Sequence, residues 1–325
     1  MEVYQDIKHL PAFDKPVITI GSFDGLHKGH QEILDRVREL STDAKRKNVV
    51  ITFEPHPRQV IYPRDNQLRL LTDLEEKTII MAYYDVDYLV VVPFTVEFSQ
   101  MLADDYIENF LVKSFNPGKI VIGYDHKFGL NRQGDINYLK WHSEKFDYEV
   151  VEISEKQVND ISVSSTKIRN KLSDGDVKRV NELLGHPYVI IGTVVHGQKL
   201  GTEIGFPTAN ISFKNQLKLI PPDGIYAVII NVKNKAHKGV MYIGNKPTLG
   251  VNKKSLEVHI FDFDDDIYEE TVMVEFIDHV RADQRFGSVD EMARQISKDK
   301  DAAIEILKDS TSTFNKQWST YRQQK

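Results

Sequence analysis

The chain has 325 residues, with 42 basic against 48 acidic side chains, a formal net charge of -6, 41% hydrophobic residues and no cysteine. That size and apolar content suit about two packed domains, and the missing cysteine excludes disulfides, thiolate catalysis and cysteine-held metals. The acidic balance argues against a wholesale nucleic-acid binder, and no apolar run is long enough to span a bilayer.

The opening MEVYQDIKHLPAFDKP carries acids at Glu2 and Asp6 and no apolar h-region, so a cytoplasmic protein without a secretory signal is expected. Downstream, short β-rich runs alternate with helical patterns. VITI (Val17 to Ile20) precedes a glycine-rich turn and the amphipathic HQEILDRVREL; VVITF (Val49 to Phe53) precedes a charged helical stretch, EEKTIIMAYY. YLVVVPF (Tyr88 to Phe94) leads into MLADDYIENFLVKSF, then KIVIG (Lys119 to Gly123), another helical region and YEVVEIS (Tyr148 to Ser154). Near-continuous apolar strands alternating with helices predict a doubly wound parallel sheet, with ligands at the carboxyl ends of its strands.

After the helical KIRNKLSDGDVKRVNELLG the pattern changes. VIIGTVV, GIYAVIINV, KGVMYIG, SLEVHIFDF and TVMVEFIDHV are β-rich runs separated by turn residues, and a last helical stretch starts at SVDEMARQISKD. This predicts an antiparallel barrel or sandwich, with the barrel favoured and a terminal helix closing the chain. The expected domains are 1–184 and 185–325.

Three loops of the first half suit phosphate. In TIGSFDGLHKGHQ, Gly21, Gly25 and Gly29 keep the backbone approachable, and His27 and His30 fall three apart where a helix begins. Both imidazoles can then face the space above the helix N-terminus, which favours anions, although H-x-x-H alone equally describes a helix cap with two surface histidines. VIGYDHKFGLNRQGD brings Asp125, Phe128 and Arg132 to the same sheet edge, and ISVSSTKIRNKL carries Ser164, Ser165, Thr166 and Arg169 into a helix. By itself SSTKIR is only an N-capped helix.

In the second half GTVVHGQKLGTEIGFPTANI follows a strand, with glycines at 192, 197, 201 and 205 ahead of Pro207, Thr208, Ala209 and Asn210. Glycine loops let backbone N–H groups reach phosphates, and Thr208 and Asn210 offer neutral oxygens suited to Mg²⁺. A β-turn between barrel strands is the plain alternative. The acidic run Asp264 to Asp266 reads as a solvated turn rather than a metal ligand set. No G-x-x-x-x-G-K-[ST] occurs, so ATP chemistry here needs a cradle other than the P-loop. Lys28, Arg132, Lys167, Arg169 and Lys199 lie beside these loops and supply local positive charge.

The G-x-F-D-G-x-H-x-G-H and SSTxIR stretches resemble the HxGH nucleotidyltransferases. With VIGYDHKFG and FEPHPRQV (Phe53 to Val60), the resemblance narrows to bacterial FMN adenylyltransferases. G-x-x-x-G-F-P-T-A-N resembles the riboflavin kinase signature, followed in order by PPDGIYAV, GVMYIGNKPT, LEVHIFDF and VEFIDHVRADQRFGSVDEMARQISKD. The two motif sets together are those of the bifunctional prokaryotic FAD synthetases. The resemblance implies phosphorylation of riboflavin to FMN by ATP and Mg²⁺, then adenylyl transfer from ATP to FMN. It implies ATP contacts in the first half from Gly21, Phe23, Asp24, Gly25, His27, Gly29, His30, Ser164, Ser165, Thr166 and Arg169, and flavin contacts from Asp125, Phe128 and Arg132. In the second half it implies ATP contacts from Gly197, Lys199, Gly201, Gly205, Pro207, Thr208 and Asn210, with Thr208 and Asn210 on the metal. Flavin contacts from Arg281, Arg285 and Phe286 follow from the same likeness, as does a general-base role for Glu257, which strand alternation alone leaves anonymous. Asp283, Gln284, Glu269 and Lys246 depart from residues frequent in the family. The expected partners are riboflavin, FMN and ATP, without nucleic acid or membrane, and a homo-oligomer stays open. The narrower alternative is a single nucleotidyltransferase with a non-catalytic flavin-binding second domain.

Overall fold

The computed structural model describes residues 1–65, 67–154, 163–197, 201, 204–245 and 254–324. They form two compact units: residues 1–68 with 80–164, and residues 69–79 with 165–325. The first is a parallel sheet with helices and the second a closed antiparallel barrel, as the periodicity predicts.

The sheet has six strands, β1 (Glu2–Tyr4), β2 (Val17–Ile20), β3 (Asn48–Glu54), β4 (Tyr88–Pro93), β5 (Lys119–Gly123) and β6 (Glu149–Ile153). Their order is β1-β4-β3-β2-β5-β6, and every pairing is parallel. All four residues of β2 and the first six of β3 are buried, as expected when helices cover both faces of a sheet. The chain runs from β2 outward through β3 and β4, then returns to lay β5 on the other side of β2. The switch in strand order therefore falls between β2 and β5, where such sheets bind ligands. Helix α1 (Lys28–Asp43) returns from β2 to β3, and Leu34 and Val37 are buried one turn apart on its inner face.

The barrel closes in the order β10-β11-β8-β7-β12-β9, from β7 (Tyr188–Val195), β8 (Ala209–Ser212), β9 (Gly224–Val232), β10 (Lys235–Asn245), β11 (Lys254–Ile260) and β12 (Thr271–Ala282). All nine residues of β9 are buried instead of alternating. One face points into the barrel, and the other, with Ile225, Ala227 and Ile229, packs beneath Ala303 of helix α4 (Val289–Ile306) and Leu307 just past its end.

The expected division at 184/185 follows chain order, whereas packing joins two further segments to the barrel unit. Helices α2 (Ser165–Ser173) and α3 (Val177–Leu184) belong to it. Asn181 of α3 donates its amide to the carbonyls of Phe276 and Ile277 and accepts from the Tyr188 N–H, which ties the helix to β12 and β7. Residues 69–79 join the same unit through a parallel bridge of Leu70 with Lys218. Helix α5 (Asn315–Gln323) ends the chain, with Trp318 fully buried and its indole N–H donating to the Lys233 carbonyl at 3.0 Å. The sequence reading did not separate β1, β8 and α5 as elements of their own. Asp264, Asp265 and Asp266 lie exposed in the loop after β11. Among the described residues, no helix is long and apolar enough to cross a membrane.

Candidate active sites

In the sheet unit, the loop 21–27 leaves the end of β2 at the switch point. Phe23 and Leu26 both take left-handed backbone angles, φ 46° and 43°, with Gly25 between them at 84°. For a non-glycine residue that geometry costs about 1–2 kcal/mol. Burial of the Phe23 and Leu26 side chains, 2% and 0% exposed, returns about 1.5–3 kcal/mol each and so holds the loop in shape. The turn sets Asp24, 3% exposed, and then His27 at the mouth of α1.

His27 is the N-cap of α1, and its side chain makes no cap hydrogen bond. Its ring instead stacks on that of His30, with centroids 3.8 Å apart and planes 13° from parallel, and Phe23 meets His30 edge-on at 5.3 Å. Gly29 keeps the space beside this stack open, since a Cβ there would lie 3.3 Å from the His27 ring, tighter than most such contacts. Gly21 starts the loop, its N–H donating to the Ile51 carbonyl. The sequence-predicted pair of imidazoles is thus brought together at a helix N-terminus, a place suited to a polyphosphate.

The loop after β5 stands on the other side of the switch point. Asp125 and Arg132 are exposed there, while Phe128 is 6% exposed and stacks on Tyr106 at 4.7 Å. Its ring is thus engaged by the aromatic core. His126, which sequence reasoning passed over, buries its Nε2 without a hydrogen bond; burial pushes its pKa down to about 4, and the ring stays neutral. Of the third predicted loop, residues 155–162 lie outside the described set. Ser164 belongs to the sheet unit, whereas Ser165, Thr166 and Arg169 belong to the barrel unit. Arg169 donates its Nε to the Arg69 carbonyl at 2.6 Å.

In the barrel unit, Tyr242 of β10, Glu257 of β11 and Asn210 of β8 are direct cross-strand neighbours and form one row on one face. Thr208 donates its hydroxyl to Glu257 Oε2 at 3.3 Å, and Ser255 donates to Oε1 at 2.9 Å, so both carboxylate oxygens are oriented. Gly197 lies over Asn210; a Cβ there would fall 2.2 Å from the amide nitrogen. Gly201 accepts the Phe206 N–H at 2.7 Å and closes the GFPTAN turn, in which Gly205 takes φ 84° and Pro207 is exposed. His259 donates Nδ1–H to the Pro207 carbonyl at 2.9 Å and anchors the turn to β11. Lys199 and Lys246 lie outside the described residues.

Glu257, Thr208 and Tyr242 open into a cavity of about 990 Å³, within the range of sites for drug-sized ligands. Burial, with Asp283, Asp223 and Glu257 nearby, pushes the Tyr242 phenol up to about 12, so it stays a neutral donor. Arg281, Arg285 and Phe286 line the same cavity. Arg281 is held in a bidentate pair with Asp299, at 2.8 and 2.7 Å, so its charge is already matched within the protein. Tyr242, Ser255, His259 and Asp299 were not selected from the sequence. The register of Tyr242 against Glu257 depends on strand pairing, and pairing leaves no local pattern.

The FAD synthetase family model matches residues 11–167 and the riboflavin kinase model residues 184–307. A bifunctional riboflavin kinase/FMN adenylyltransferase from Haemophilus influenzae is 38% identical over 287 residues, 88% of this chain and 92% of that one. Its Escherichia coli K12 counterpart is 35% identical over 90% of this chain and 92% of its own. A crystal structure described as a macrolide-efflux protein from Streptococcus pneumoniae superposes with a TM-score of 0.81 at 31% identity, covering 96% of this chain and 99% of that one. Two family models in one order, and relatives aligned along nearly their whole length, fit the two sites built here. On that evidence the chain belongs to the bifunctional riboflavin kinase/FMN adenylyltransferase family.

Proposed function

We propose that the barrel unit phosphorylates riboflavin with ATP to give FMN and ADP, and that the sheet unit then transfers AMP from a second ATP to FMN, giving FAD and pyrophosphate. The observation that carries this reading is the row Tyr242–Glu257–Asn210, which puts a hydroxyl-oriented carboxylate between an apolar-walled cavity and a glycine-covered amide. Glu257 accepts the proton of the terminal ribityl hydroxyl as that oxygen attacks the γ-phosphorus and ADP departs.

The donor set fits Mg²⁺. Thr208 and Asn210 offer hard neutral oxygens, and a Cβ at Gly197 would fill the space against Asn210. Thr208 and Asn210 would hold the ion, which when bound offsets the negative charge of the triphosphate.

In the sheet unit the FMN phosphate attacks the α-phosphorus of ATP and pyrophosphate leaves. His27 and His30, with the N-terminus of α1, donate to the phosphate oxygens, and no general base is needed because the nucleophile is already anionic. Ser164, Ser165, Thr166 and Arg169 add phosphate contacts by likeness to the family motif. Asp24, Asp125 and Arg132 serve nucleotide or flavin at the switch point. The reading goes with riboflavin, FMN and ATP as partners, and with a cytoplasmic place for the enzyme, as expected from the sequence.

Product analysis tests the reading directly. Purified chain given riboflavin and MgATP should form FMN first and FAD later by chromatography. FAD from supplied FMN, with no FMN ever formed from riboflavin, would instead favour a single nucleotidyltransferase carrying a flavin-binding appendage.

A further inference from the structure

The last strand of the barrel ends on Ala282, one residue past Arg281, and helix α4 starts seven residues later, behind the Ser288 cap. Between them, residues 283–287 form one wall of the cavity. Both ends of this loop are tethered. At the helix end, Ser288 accepts the Glu291 N–H, and the Glu291 carboxylate accepts the Gly287 N–H at 3.0 Å. At the strand end, Arg281 donates Nε and Nη2 to the two oxygens of Asp299 and Nη1 to the Ala282 carbonyl at 2.9 Å. Asp299 is 3% exposed and also accepts the Gln295 amide at 2.8 Å. The guanidinium carbon lies 5.8 Å from the centroid of the Phe286 ring.

We propose that Arg281 is a positioning residue: clamped by Asp299, it backs the Phe286 ring and sets it as a flat wall for the isoalloxazine of riboflavin. Swinging Arg281 out to a polyphosphate would strand the buried Asp299 carboxylate without its partner, a strongly unfavourable change. The planar guanidinium suits the opposite task, since it accepts an aromatic face while its edge stays in the fork with the carboxylate. Arg285, exposed at the same rim, is the cation that this loop presents to a ligand. The proposal rests on the cavity being the riboflavin site of the proposed kinase reaction.

The test is steady-state riboflavin kinase kinetics on the full chain for Phe286→Ala, Asp299→Asn, Arg281→Lys and the double variant Phe286→Ala/Asp299→Asn. Phe286→Ala should raise the KM for riboflavin about tenfold, and Asp299→Asn or Arg281→Lys about three- to tenfold. The kcat should fall less than about threefold and the KM for ATP should not move, as when binding of one substrate alone is weakened. The double variant should be no worse than Phe286→Ala, because the clamp acts only through that ring. Multiplicative effects in the double variant, or a higher KM for ATP in Arg281→Lys, would overturn the proposal while leaving the cavity as the flavin site. An unchanged riboflavin KM in Phe286→Ala would overturn the assignment of the cavity itself. If Asp299→Asn melts too low to assay, Arg281→Lys combined with Phe286→Ala supplies the same comparison.

Discussion

Glu76 and Lys218, 142 residues apart in sequence, form an ion pair of 2.5 Å with side chains 0% and 1% exposed. Lys218 also donates to the carbonyls of Leu71 and Val189, each at 2.7 Å, and so satisfies all three ammonium directions. Glu76 in turn accepts the N–H groups of Ile191 and Asp73. Removing one partner leaves a buried charge uncompensated, which costs about 3–5 kcal/mol. Glu76→Ala should therefore lower the melting temperature of the barrel unit and abolish riboflavin kinase activity after mild heating, although residue 76 precedes the barrel strands by over a hundred positions. Glu76→Leu with Lys218→Met should be milder than either single change. Thermal unfolding of the three variants checks this; an unaltered transition in Glu76→Ala would dismiss the pair as a structural bond.

Burial, reinforced by Asp73, pushes the Glu76 carboxyl above the usual carboxylate range while Lys218 opposes, so much of what the ion pair contributes goes to offset the cost of burying the carboxylate.

The attachment of residues 69–79 to the barrel had no sequence signal, because one Glu and one Lys among 48 acids and 42 bases are indistinguishable until the chain folds. The parallel sheet and the barrel were legible because the buried strands repeat apolar residues in runs. The HxGH and GFPTAN loops were legible through their glycines, and at Gly197 close approach to Asn210 leaves no room for a Cβ. Strand register was not legible, so Tyr242 beside Glu257 and Ser255 on its carboxylate emerged only from pairing. Arg281 was reached only through likeness to the family, and its partner Asp299 lies eighteen residues on, on another element.

Gly197 offers a narrow probe of the kinase cradle. Its Cβ would fall 2.2 Å from Asn210 Nδ2, a distance real Cβ contacts do not reach, so Gly197→Ala must displace the amide. Since a one-ångström misplacement can cost about a hundredfold, riboflavin phosphorylation should fall by about that factor. FMN adenylylation should persist, because the side chain displaced belongs to the barrel. Isothermal titration with MgADP should show the same loss, and undiminished binding would show that Asn210 does not face the nucleotide.

Separate sites make separate losses. Glu257→Ala removes the proposed proton acceptor, and general-base removal typically costs about 10²–10⁴ in rate. FMN formation should drop on that scale while FAD formation from supplied FMN continues. His30→Ala removes one imidazole of the stacked pair and with it the proposed donor to developing phosphate charge, an expected loss of about 10²–10³ in kcat. Riboflavin should then accumulate as FMN. Glu257→Gln keeps the size of the side chain and one oxygen to accept a hydroxyl, its amide donating to the other, but it cannot take a proton, so it should be as inactive as Glu257→Ala at little-changed riboflavin affinity. Chromatography of products from the two substrates, run on each variant beside the unaltered chain, distinguishes these outcomes. Loss of both activities in Glu257→Gln would mean that the carboxylate supports the fold instead of the chemistry.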